Sequence, residues 1–191
     1  MSFVAAYITG NYAVMSGDLR RVHIHDESIY HDDSPKILAL NDRVLVGTTG
    51  DRPMSIELFY DLSHENLANA NANAVARKCR SWCRKYTNAE TQLTIIIAGI
   101  ADNGKPVIVS MSHRDGYKPQ YQAVDPGRIE WQFSFANVSP EPFVLDSLGQ
   151  YDLSAVDGCM EMAQSVNERV AAEDNFVSSK CQVGYVTSCP S

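Results

Sequence analysis

Ser2 is the residue around which the sequence assembles its most specific chemistry. Removal of Met1 would leave a free α-amine on a hydroxyl residue. Such an amine titrates near about 7.7–8.0, so part of it is neutral at working pH and can act as a general base. Base and nucleophile then belong to one residue, and no separate histidine is needed. Lys36 is a nearby cation that would favour the deprotonated hydroxyl and the neutral amine, and Asp18 would hold that lysine charged and oriented. A backbone N–H at Gly50, after a strand, would face a developing oxyanion, because glycine permits close backbone approach. Each residue also has an ordinary reading. Serine is a common second residue, Asp18 and Lys36 alone are a surface pair worth little, and Gly50 alone is a turn glycine.

Other chemistries lack their signatures. There is no Walker A loop, no G-x-G-x-x-G, no H-E-x-x-H and no G-x-S-x-G elbow. His23, His25, Asp26, His31, Asp32 and Asp33 are crowded together, but no spacing pins three ligands to one centre, so a polar loop is expected and no metal. The five cysteines, Cys79, Cys83, Cys159, Cys181 and Cys189, are odd in number and spaced for neither a disulfide framework nor zinc. Asn137-Val138-Ser139 matches a glycosylation triplet, which has no meaning without export. The start of the chain has no basic region ahead of its short apolar run, so no signal peptide is read there; reduced thiols in a cytoplasm are expected.

The elements that must position these residues follow from the hydrophobic pattern. Residues 3–8 and 12–16 read as strands joined at Thr9-Gly10-Asn11, with Gly17-Asp18 ending the second. Residues 19–35 are polar and read as loop or edge structure. Ile37–Leu40 and Val44–Val46 flank Asn41-Asp42 as a hairpin, Gly47-Thr48-Thr49-Gly50 ends that strand, and Asp51 caps a helix with Pro53 in its first turn. Val75, Cys79, Trp82, Cys83 and Tyr86 share one helical face, which makes the two cysteines core thiols. The Asn/Ala run at 66–74 is an exposed helix face or a break. Leu93–Ile100 is an almost continuous apolar run, typical of a strand buried on both sides. Asp102-Asn103-Gly104 turns the chain into 106–110, weaker strands follow at 120–124 and 130–136, and Leu153, Val156, Met160, Ala163, Val166 and Val170 form a second helical stripe before a strand at 182–186.

The chain has 191 residues, 45% hydrophobic and 20% charged, without linker or repeat, so one domain spanning 1–191 is expected. A net charge of −7 argues against nucleic acid as the main partner. No segment reaches the roughly 18 apolar residues of a membrane helix, so no membrane partner is expected either.

Three blocks carry a resemblance: Ala13-Val14-Met15-Ser16-Gly17-Asp18, Pro35 through Val44, and Val46-Gly47-Thr48-Thr49-Gly50-Asp51. They occur in the order and spacing found in the proteasome-like N-terminal-nucleophile (Ntn) hydrolases: the proteasome β subunits, the HslV peptidase and the Anbu proteins. The chain resembles that family, a threonine-type peptidase family by its usual nucleophile. The resemblance implies an α+β fold, a four-layer αββα sandwich of two mainly antiparallel sheets. It implies the nucleophile at Ser2, the orienting carboxylate at Asp18, the lysine at Lys36 and the oxyanion glycine at Gly50, with Gly47 as the fallback. The family also carries an Asp followed three residues later by a Ser; Asp174 fits the first, but Val177 stands third and Ser178 one step later. The family's Gly-Ser-Gly stretch is replaced by 135–140, and Ser139 within it or Ser134 just before it would have to supply the hydroxyl. The implied activity is amide hydrolysis through an acyl-enzyme, without a cofactor, on peptides or unfolded proteins, in a homo-oligomeric ring with a possible ATPase partner. Transfer of the acyl group to an amine is a related outcome. The alternative is a non-catalytic proteasome-like subunit or binding protein with a degenerate site.

Overall fold

The computed structural model describes residues 3–23, 26–134 and 136–188. Strand β1 (Val4–Ile8) is buried at every position and turns at 9–11 into β2 (Tyr12–Asp18). Strand β2 runs through Gly17 and Asp18 instead of stopping before them. A polar hairpin follows, β3 (Arg20–His23) and β4 (Asp26–Asp32), where the sequence pattern alone read loop or edge. Next come β5 (Ile37–Asn41) and β6 (Val44–Gly50), the latter reaching Gly50, and then helix α1 (Arg52–His64). Asp51 accepts from Met54 N at 3.1 Å and Pro53 occupies the first turn, where its missing N–H is harmless. The Asn/Ala run is a break: Asn71 caps helix α2 (Ala72–Tyr86) through Ala74 N at 3.0 Å.

Strands β7 (Leu93–Ile100), β8 (Pro106–Ser112) and β9 (Gln120–Ala123) extend the β5–β6 hairpin into a five-stranded antiparallel meander in chain order. Strand β10 (Glu130–Ser134) and, after helices α3 (Glu141–Ser147) and α4 (Val156–Glu173), strand β11 (Cys181–Thr187) join the first sheet. Its order is β10-β1-β2-β11, antiparallel throughout. Helix α3 was not foreseen, and Leu153 precedes α4 instead of belonging to it, its carbonyl accepting from the Tyr12 hydroxyl at 2.7 Å.

The period of two along each strand sorts the core into three slabs. Val4, Ala6 and Ile8 meet Ile96, Ala98 and Ile100 between the sheets. Ile95 and Ile97 face the other way, onto Leu58, Val75, Cys79 and Cys83 of α1 and α2. Phe3, Ala5 and Tyr7 pack on Cys159, Met162 and Val166 of α4. The fold is thus α+β, with a helical layer outside each antiparallel sheet. The double-sided burial of β7 explains its almost continuous apolar run, each fully buried Ile contributing about 1.5–3 kcal/mol. Among the described residues no helix is long and apolar enough to cross a membrane, and no cluster of His, Cys, Asp or Glu could hold a metal ion.

Candidate active site

Asp18 is the organising residue. It ends β2 opposite the start of β1, in a register that pairs Val4 with Gly17. Its carboxylate is fully buried and accepts Phe3 N at 2.7 Å on Oδ1, and Arg20 N at 2.8 Å and Ser178 N at 3.3 Å on Oδ2. Lys36 Nζ lies 3.7 Å from Oδ1 and donates to Arg20 O at 2.6 Å and Ser34 O at 3.4 Å. Gly17 makes the approach possible: a Cβ there would stand 3.0 Å from Ile37 Cγ1 and 3.2 Å from Lys36 Cβ. A donor shell of three N–H groups and one ammonium is what a buried carboxylate requires, since an unpaired one would be strongly unfavourable.

The electrostatics of the pair are set by burial. Desolvation pushes the Asp18 carboxyl above its ordinary value, opposed by Lys36 and the backbone donors. Desolvation pushes the Lys36 ammonium below its ordinary value; Asp18 works against that shift, and Arg52 adds to it. A lysine with a weakened hold on its proton, anchored by a carboxylate, can exchange a proton with a neighbouring group more readily than a surface lysine.

Gly50 stands at the rim of a cleft of about 700 Å³ that Lys36, Thr48 and Thr49 also line. Its φ is +100°, and a Cβ would fall 1.8 Å from Gln92 O, so both backbone angle and space demand glycine. The strand therefore ends in a sharp change of direction that delivers Asp51 to cap α1. Gly47 lies elsewhere: a Cβ there would meet Val4 Cγ1 at 2.7 Å and Met15 Sδ at 2.8 Å, between the two sheets.

The C-terminal residues divide. Ser178 is buried and gives its N–H to Asp18, while its hydroxyl accepts Lys180 N at 3.1 Å. Asp32 is held below the usual carboxylate range first by Arg20, whose Nε lies 2.9 Å away. Asp174 is turned to another task. It accepts Asn137 N at 2.6 Å, Asn137 Nδ2 at 3.2 Å and Phe176 N at 2.9 Å, tying the 136–139 loop to the end of α4. Neither serine considered for that loop meets Asp174: Ser134 bonds the Thr49 hydroxyl and Ser139 is exposed.

Of the residues read from the sequence, Asp18, Lys36 and Ser178 come together, Gly50 borders the same cleft, and Asp174 faces Asn137. Ser2 lies outside the described residues, as do His25 and Cys189. Sequence reasoning missed Arg20, Asp32 and Asn137 as members of this network. The Arg20↔Asp32 pairing follows from the β3–β4 register, for which the opposite charges near the two ends of the polar stretch were the available signal.

No protein-family model matches the chain, and no curated protein matches it. Among solved structures, that of eukaryotic HslV from Trypanosoma brucei superposes with a TM-score of 0.65 at 15% identity, covering 97% of this chain and 99% of that one. At that identity the likeness speaks for the fold, and the chain has the fold of the proteasome-like Ntn hydrolases.

Proposed function

We propose that the chain is a proteasome-like N-terminal-nucleophile peptidase or amidase acting through Ser2 once Met1 is removed. The observation that carries this reading is the hydrogen bond from Phe3 N to Asp18, on the same carboxylate oxygen that Lys36 approaches. One peptide bond joins Ser2 to that nitrogen. In the proposed reaction the Ser2 hydroxyl attacks an amide carbonyl, and its proton passes to the α-amine. Lys36 stabilises the charge on the nucleophile, and a backbone N–H at Gly50 receives the oxyanion. The amine then hands the proton to the leaving nitrogen, leaving an ester on Ser2. Water, deprotonated by the same amine, releases the acid and restores the hydroxyl. No step calls for a cofactor. An amine acceptor in place of water would give acyl transfer.

The same reading takes the chain as one domain over 1–191, working in a reducing cytoplasm on peptides or unfolded protein. It assembles into a homo-oligomeric ring, with an ATPase as a possible partner. Asp174 favours a second reading, a non-catalytic subunit, because its oxygens are given to Asn137 and Phe176 and not to the cluster around Asp18.

Intact mass of untagged protein, followed by labelling with β-lactone and epoxyketone probes, separates the two. The peptidase reading expects Met1 absent, covalent labelling at Ser2, and loss of labelling and of fluorogenic peptide turnover in Ser2→Ala. Met1 retained on protein from its native host, or labelling unchanged in Ser2→Ala, refutes it.

A further inference from the structure

The cleft beside Lys36 has an unbalanced wall. Among the described residues four cations line it, Arg20, Arg21, Lys36 and Arg52, against a single carboxylate, Asp51. Three of the cations already have partners: Arg20 holds Asp32 at 2.9 Å, Arg21 holds Asp33 at 2.9 Å, and Lys36 stands 3.7 Å from Asp18. Asp51 is engaged in capping Met54 N at 3.1 Å. Arg52 differs. Its side chain is exposed, its Nε reaches only Ser34 Oγ at 3.4 Å, and no described carboxylate pairs with it.

Arg52 opens α1, and Ser55, Ile56 and Phe59 follow it along the same helical face, all lining the cleft. That face is cationic at its start and apolar further along, at Ile56 and Phe59. An aliphatic stem would lie against Ile56 and Phe59 with its charged end at the guanidinium, near the positive end of the helix. Arg52 is also close enough to bear on Lys36, lowering its hold on a proton. A carboxylate bound at Arg52 would therefore be sensed at the ammonium beside Asp18.

We infer that this cleft receives the side chain that donates the acyl group, and that Arg52 selects an acidic one, glutamate above all. The inference rests on the peptidase reading for the placement of the scissile bond, but its physical basis, a carboxylate meeting a guanidinium that no described carboxylate pairs with, does not depend on turnover. Charge-assisted hydrogen bonds of this kind distinguish Glu from Gln by about tenfold or more.

Two measurements on the full chain test it. The first is kcat/KM for fluorogenic peptides that differ only in the acyl-donating residue, Glu, Gln, Leu or Lys, with wild type, Arg52→Gln and Arg52→Glu. The second is binding to Ser2→Ala, by fluorescence anisotropy, of labelled peptides ending in free Glu or Gln, with and without Arg52→Gln. Support is a Glu preference of about tenfold or more over Gln and Leu that is lost in Arg52→Gln and moves to Lys in Arg52→Glu. Turnover that favours Leu, or a Glu preference that survives Arg52→Gln, overturns the assignment and leaves the peptidase reading standing. If no peptide is cleaved, the peptidase reading falls and the binding arm decides. Tighter Glu binding that depends on Arg52 upholds the site, and equal binding of Glu and Gln overturns it.

Discussion

Lys36→Met is the substitution whose consequence can be worked furthest from the structure. Both members of the pair are almost fully buried, with side-chain exposures of 8% and 0%. At 3.7 Å, two unit charges in an effective dielectric of about 20 attract by about 4–5 kcal/mol. Methionine fills much the same space without charge, so packing is largely kept and the carboxylate loses its cation. Asp18 retains its three backbone donors, and the expected loss in unfolding free energy at pH 7.5 is about 3–5 kcal/mol, the range found when one partner of a buried pair is removed. The pH dependence has a definite sign. Burial already raises the Asp18 carboxyl above 3.8, and Lys36 is the largest force opposing that rise. In the variant the folded-state value climbs further, so the folded state binds more protons than the unfolded state above about pH 4, and stability falls as pH rises. The deficit relative to wild type should therefore be largest near neutrality and shrink toward pH 4.5. Urea unfolding followed by circular dichroism at pH 4.5, 6 and 7.5 measures it. A loss below about 1 kcal/mol, as for an exposed pair, or a deficit independent of pH, would refute the buried-pair reasoning.

Gly50→Ala places a Cβ 1.8 Å from Gln92 O at a φ of +100°, and should cost about 3 kcal/mol or more and disturb the start of α1; a melting temperature equal to wild type would contradict this. Asp174→Ala removes acceptors from Asn137 N and Phe176 N and should cost about 2–3 kcal/mol, with faster amide exchange at Phe176 through Ser178 as the accompanying sign. Burial pushes the Cys83 and Cys159 thiols up to about 12 and the Cys181 thiol to about 11. Iodoacetamide at pH 8 should leave all three unmodified in folded protein and label them in urea, as read by peptide mass; rapid labelling of Cys83 in the native state would show that α2 does not seal against its sheet.

What was legible beforehand follows physical lines. The apolar run of Leu93–Ile100, the helical stripe of Val75, Cys79 and Cys83, and the Asp51–Pro53 helix start are local patterns tied to burial or to capping, and each appears where it was read. The approach of Phe3 to Asp18 was legible because the short turn at 9–11 fixes which residues of β1 and β2 stand opposite each other. The β3–β4 hairpin was read only as loop or edge because its cohesion comes from ion pairs such as Arg20–Asp32, which leave no hydrophobic period. Helix α3 is a short segment with Pro142 in its first turn, too brief to show a stripe. The partnership of Asp174 with Asn137 spans 37 residues and depends on how α4 docks, which no window of sequence records. Arg52 sits between the cap Asp51 and Pro53 that the sequence did mark, but its place in the cleft wall depends on the approach of the polar hairpin.

The position of β1 and β2 inside their sheet has a consequence in time. Strand β1 needs β10, whose Ser134 pairs with Val4, and β2 needs β11, whose Cys181 pairs with Asp18. Until residues 178–187 leave the ribosome, Asp18 lacks the N–H of Ser178 and one neighbouring strand, and the carboxylate that organises the cluster is open to water. Contacts of such long sequence separation form late. A growing chain thus completes the donor shell of Asp18 only once β11 has been made, and a product that stops short of it leaves that carboxylate without its Ser178 donor.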